Sequence, residues 1–233
     1  MDTIHKSSFE LQSVVPWGRT LDEYRQFFQL TDEDLNKRIV GVGDGPASFN
    51  AEMHQIGNAV VSLDPVYAFS EEQLQNRINE TRTEIMEQVR KNAGNFIWKT
   101  IKNPEELECI RMSAMAAFIK DFETGKMQQR YVFHEMPEQT AYSKDTFDLG
   151  LSSHFLVLYS KLGVKFHIQS INEMLRLCKE VRIFPLVNLN AEKSEVLDDI
   201  IAYFSKNYSV EMKQVAYEFQ KNGNQLLSIK RPI

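Results

Sequence analysis

Short apolar runs and longer amphipathic stretches alternate along this chain. Residues 38–43 form an apolar run that ends in glycine, and residues 59–64 set Val60, Val61 and Leu63 ahead of an acid. Residues 131–133, 147–152 and 181–189 are further runs of strand character, the last rich in β-branched and aromatic side chains. Residues 210–219 and 225–230 close the series, and Lys221-Asn222-Gly223-Asn224 between them has hairpin-turn composition. Short buried strands separated by helices predict a mainly parallel sheet covered on both faces, with a terminal hairpin adding an antiparallel strand.

Helix starts are marked by their caps. Thr20 with Glu23, and Ser70 with Gln73, have the spacing at which the two side chains satisfy each other's free backbone N–H groups. Asn103 followed by Pro104, Glu105 and Glu106 supplies an N-cap, a first-turn proline and acids that match the helix dipole. Leu74, Ile78, Ile85 and Val89 share one helix face, as do Leu107, Ile110, Ala114, Phe118 and Phe122, and both stripes read as packing surfaces. Residues 66–130 hold at least two helices where a crossover needs only about a dozen residues. This predicts a helical insertion between strands two and three, acting as a lid over a substrate site. The chain reads as one domain, 1–233, with a helical N-terminal cap over 1–37.

Composition narrows the function classes. At 42% hydrophobic and 25% charged, the 233 residues have ordinary globular balance. No apolar run is long enough to span a membrane, and residues 1–9 lack the apolar core of a secretion signal, so the expected location is the cytoplasm. The net charge of −5 comes with scattered Lys and Arg, without the basic stripe that displaces counterions from nucleic acid. Cys109 and Cys178 fall in helical segments and read as reduced, structural thiols. His5, His54, His134 and His167 have no ligand spacing, so no metal site is expected. The pattern carries no signal for an oligomeric state.

The candidate chemistry begins at Gly41-Val42-Gly43-Asp44-Gly45-Pro46-Ala47-Ser48, where a buried strand runs into a glycine bend and a helix starts near Ser48. Gly43 and Gly45 permit a sharp turn and close approach of a ligand to the backbone. Asp64, at the end of the next strand, is placed to accept the ribose hydroxyls of a nucleoside. A dinucleotide fingerprint would need glycine at Ser48, and Pro46 stiffens a loop that would have to lie flat beneath a pyrophosphate.

With Val61-Ser62-Leu63-Asp64-Pro65, Tyr131-Val132-Phe133-His134-Glu135-Met136-Pro137, Thr140-Ala141-Tyr142 and Phe147-Asp148-Leu149 following in order, the chain resembles the class I S-adenosylmethionine-dependent methyltransferases from about Trp17 onward. The resemblance implies an α/β, Rossmann-like, seven-stranded and mainly parallel sheet with a C-terminal antiparallel hairpin. It implies S-adenosyl-L-methionine as cofactor, held by Gly43, Asp44, Gly45, Pro46, Asp64, Pro65, Glu135, Met136 and Ser152. Two positions depart from the family pattern. Gly41 stands where relatives carry an acid that holds the methionine end, leaving Asp44 as its candidate substitute, and Ala47 replaces the third loop glycine. Relatives that methylate exocyclic amines or glutamine amides carry an Asn/Asp-Pro-Pro-aromatic run where this chain has Ser152-Ser153-His154-Phe155. That difference favours a small-molecule acceptor at O, N or C, with no nucleic acid and no membrane involved. His154 is the candidate general base, and Trp17, Arg19 and Tyr159 are candidate acceptor contacts. An NAD(P)-dependent oxidoreductase and a non-catalytic methyltransferase-like binding protein remain the alternative readings.

Overall fold

The computed structural model describes residues 17–232, so the expectations that fall on residues 1–16, including His5, lie outside it. Seven strands form one sheet: β1 Ile39–Val42, β2 Val60–Leu63, β3 Tyr131–Val132, β4 Leu149–Ser153, β5 Glu180–Phe184, β6 Ser209–Gln214 and β7 Gln225–Lys230. Their order is β3-β2-β1-β4-β5-β7-β6. β1 to β5 are mutually parallel, whereas β7 runs antiparallel to both β5 and β6. The predicted sheet and its antiparallel end are both present.

Alternation along β1 shows why both faces must be covered. Val40 and Val42 join a core with Ile171, Met174 and Val181, while Ile39 joins an opposite core with Tyr24, Phe27 and Phe49. Helices α6 (Val164–Leu177) and α7 (Leu197–Phe204) contribute to the first core. Helices α1 (Leu21–Phe28) and α3 (Phe49–Gln55) contribute to the second, and the short α2 (Asp32–Leu35) adds Leu35 to it. Each predicted cap forms: Thr20 and Ser70 make complete capping boxes, and Asn103 accepts from the Glu106 N–H at 2.8 Å.

The insertion consists mainly of α4 (Glu71–Lys91) and α5 (Pro104–Met127). Leu74, Ile78, Phe118 and Phe122 pack with Tyr67 and Tyr131 into a third core, and Ile85, Val89 and Leu107 form a fourth cluster farther along the helix pair. A fully buried ion pair ties this insertion to the N-terminal cap. Arg111 on α5 donates to both Glu23 oxygens at 2.6 Å, and also to the Gly18 carbonyl at 3.2 Å. Burial pushes the Glu23 carboxyl upward, but Arg111 outweighs it and holds the group below the usual carboxylate range.

Three expectations are corrected. β5 stops at Phe184 because Pro185 has no N–H for the ladder, so residues 186–189 leave the sheet. β6 stops at Gln214: Val215 and Tyr217 turn into the core, and Phe219 stacks on Phe96 at 4.9 Å. Lys221–Asn224 chemistry therefore closes a turn inside a longer connection instead of joining the two strands directly. Cys109 lies on α5 but is exposed, and Cys178, read as helical, instead sits buried in extended backbone just past the end of α6. No described helix is long and apolar enough to cross a membrane.

Candidate functional site

A cavity of about 500 Å³ opens at the C-terminal ends of β1, β2 and β4, where ligand crevices of α/β sheets form. Its floor is the bend after β1. Gly43 and Gly45 take φ of +74° and +53°, the left-handed region that disfavours side chains. A Cβ on Gly43 would lie 2.6 Å from the Phe155 ring, whereas one on Gly45 would meet nothing within 4 Å. The two glycines thus serve different ends: the first lets Phe155 approach, and the second keeps backbone open to the cavity.

Asp64 reaches this bend from the end of β2. Its carboxylate accepts from the Gly45 N–H at 2.8 Å and the Val66 N–H at 2.9 Å. Tyr67, one turn on, donates its hydroxyl to the Gly45 carbonyl at 2.8 Å. Asp44 folds back over the strand instead, accepting from the Tyr24 hydroxyl and the Ser62 hydroxyl, each at 2.6 Å. An ideal Cβ on Gly41 would stand 1.9 Å from an Asp44 carboxylate oxygen. The space that a strand acid would enter is already filled by a carboxylate from three residues further on. Burial pushes both Asp44 and Asp64 up to about 6, and for Asp44 the neighbouring Asp64 adds to the rise. Among the described residues neither acid has a cationic partner; every contact each makes is with a hydroxyl or a backbone N–H.

Gly43, Asp44, Gly45, Pro46, Asp64, Pro65, Glu135 and Met136 line the cavity together, and so do Trp17, Arg19, His154 and Tyr159. Ser152 does not. Along β4, Gly150 and Ser152 face α6, and Ser152 accepts from the Leu156 N–H in a fully buried position, so Ser153 reaches the cavity in its place. Ala47 also turns away from the cavity and packs into the core with Tyr24 and Phe49, which removes the concern over the third glycine. Tyr24, Ser62 and Phe155 escaped the sequence reading. Ser62 offered one signal, a polar residue inside a buried strand; Tyr24 offered none.

His154 takes a left-handed φ of 55° at the strand-to-helix turn, with Nδ1 2.9 Å from the Ser153 hydroxyl and its ring 5.0 Å from that of Phe27. Burial, with the charges of Arg19 and Arg111, holds its imidazole well below the usual histidine range, so it is neutral at physiological pH. One N–H at the start of α3 is taken: that of the N-cap Ser48 donates to the Arg19 carbonyl at 3.0 Å. That N–H is one of those a phosphate would need at a helix N-terminus.

Strand order and the glycine bend facing an acid on the next strand define an α/β protein with the fold of the class I S-adenosylmethionine-dependent methyltransferases. No protein-family model matches the chain. The chain belongs to the same family as uncharacterized protein MJ0045 of Methanocaldococcus jannaschii, to which it is 34% identical over 225 residues, covering 95% of this chain and 98% of that one. Solved structures are more distant. PH0226 protein from Pyrococcus horikoshii is 11% identical at a TM-score of 0.45, over 91% of this chain and 87% of that one. A TehB-like SAM-dependent methyltransferase from Corynebacterium glutamicum is 12% identical at 0.44, over 84% and 81%. The magnesium protoporphyrin IX methyltransferase of Synechocystis is 12% identical at 0.43, over 86% and 73%.

Proposed function

We propose that this chain binds S-adenosylmethionine in the cavity and transfers its methyl group to a small organic acceptor. The observation that carries the reading is the convergence of the Asp64 carboxylate on the Gly45 N–H beside open space. Two buried carboxylates without cations suit a ligand that brings hydroxyl donors and positive charge. On this reading Asp64 accepts from the ribose hydroxyls and Asp44 faces the methionine ammonium, replacing the acid absent at Gly41. Pro46, Pro65, Glu135 and Met136 enclose the adenine side.

When bound, S-adenosylmethionine would supply an electrophilic methyl group on positively charged sulfur, which would leave as a neutral thioether. The protein's part is to hold the acceptor in line and exclude water, which can account for up to roughly 7–11 kcal/mol in ideal cases. Ile85, Val89 and Leu107 of the insertion, with Phe96 and Phe219, provide apolar walls for this. A neutral His154 suits hydrogen bonding to the acceptor better than removing its proton, because a depressed pKa makes a weak base. The engaged Ser48 N–H at the start of α3 disfavours a dinucleotide pyrophosphate. Calorimetry tests the choice: S-adenosylhomocysteine should bind and NAD or NADP should not. Binding of NAD alone would overturn the methyltransferase reading.

A further inference from the structure

Arg19 also lines the cavity, and its charge has no ion-pair partner of its own among the described residues. It donates from Nη1 to the Trp17 carbonyl at 2.6 Å. Its Nε is buried without a hydrogen-bond partner. The acid that acts on it, Glu23, is engaged elsewhere: Arg111 donates to both of its oxygens at 2.6 Å, and the Thr20 N–H donates to one of them again. Among the described residues, Arg19 and Arg111 therefore share the single carboxylate of Glu23 and leave one net positive charge. Burial and Arg111 pull the Arg19 guanidinium down to about 10, which still leaves it fully cationic at neutral pH. Arg111 and Glu23 act on Arg19 and Asp64 acts on Asp44, while Tyr24, hydrogen-bonded to Asp44, interacts with both Asp44 and Arg19, so the basic and acidic groups meet through Tyr24.

A half-buried cation whose Nε is buried without a partner is costly unless a ligand completes it. The walls beside it are apolar and aromatic, including Phe96, Leu107 and Phe219. We propose that the acceptor is an apolar organic acid whose single carboxylate docks on Arg19. With Nη1 engaged by Trp17, the unpartnered Nε–H remains to be completed, and a planar guanidinium matches a carboxylate. This inference rests on the methyltransferase reading for the word acceptor, but the anion site stands on its own geometry. The other source of a carboxylate is the methionine part of the cofactor itself.

The experiment is calorimetry on the full chain with benzoate, 2-naphthoate and octanoate, each against its primary amide, with and without S-adenosylhomocysteine. At least one acid should bind tenfold or more tightly than its amide, and Arg19→Met should abolish that preference. The variant should change S-adenosylhomocysteine affinity by less than twofold. Equal binding of every acid and amide by the wild-type protein would overturn the proposal, whatever the variant's stability. A tenfold loss of S-adenosylhomocysteine binding in Arg19→Met, with 5′-methylthioadenosine unaffected, would assign Arg19 to the cofactor carboxylate and also overturn it. Absence of S-adenosylhomocysteine binding to the wild type would sink the methyltransferase reading alone, because the acid–amide comparison is made in its absence too.

Discussion

Asp44 and Asp64 are the residues on which the site turns, and both make stability depend on pH. Each is raised from an ordinary 3.8 to about 6 by burial. Between those values the folded chain keeps protons that the unfolded chain has released, so stability falls as pH rises through the window. The loss is up to about 3 kcal/mol per group. Asp34, lowered to about 2, acts below that window and in the opposite sense. His154 and His167, which burial holds below the usual histidine value of 6.5, also act in the opposite sense, because there the unfolded chain holds protons that the folded chain does not. The acid contribution is therefore read by difference: relative to the wild type, Asp44→Asn should raise the Tm more at pH 7.5 than at pH 4.5. Ligand binding should run opposite to the acids' effect on stability, with affinity for S-adenosylhomocysteine growing from pH 5 to 7.5 as the carboxylates ionise. Asp64→Ala should weaken that affinity by about 1.5–3 kcal/mol, the range for a charge-assisted hydrogen bond; unchanged affinity by calorimetry would remove Asp64 from the site. The glycine bend and Asp64 were legible in sequence because a tight turn and a strand-end acid leave local marks. The exchange of an acid at Gly41 for one at Asp44 was legible only as a suspicion, since its proof is a side-chain direction.

At the scale of elements, Glu23 shows where local reading stops. Its role in the Thr20 capping box is written in a spacing of three residues, and it forms as read. Its second role, neutralising Arg111 on α5 inside the protein, joins positions 88 residues apart and leaves no local trace. Removing the carboxylate strands a buried guanidinium, so Glu23→Ala should cost about 3–5 kcal/mol in denaturant unfolding. Adding Arg111→Met should recover much of that cost; a double variant as unstable as the single would show that the cap, not the pair, was responsible. The strand ends follow the same division. Starts and apolar centres of β1, β2, β5 and β7 could be read, because both faces of the sheet demand apolar side chains. The end of β6 could not, since Val215 and Tyr217 suit a strand and a folded-back core segment equally well, whereas the end of β5 carries its mark in Pro185.

For the whole molecule, the cavity draws on segments from nearly the full length of the chain, from Trp17 to Gln220. A ligand held by so many elements should stabilise all of them together by mass action. At a hundredfold excess over Kd the gain is about 2.7 kcal/mol. S-adenosylhomocysteine should accordingly raise the Tm of the single unfolding transition, and NAD at the same concentration should leave it unmoved.

The tie between the insertion and the C-terminal connection has a consequence for synthesis. The Ile97 N–H bonds to the Phe219 carbonyl at 2.6 Å, and the Lys221 N–H to the Asn95 carbonyl at 2.9 Å, just before β7 inserts beside β5. On the ribosome, the glycine bend and both acids emerge long before Phe219 and Gln220, which complete the cavity around them. A nascent chain can therefore gain no help from its ligand until that later connection has folded back, and must carry its buried acids unaided up to that point.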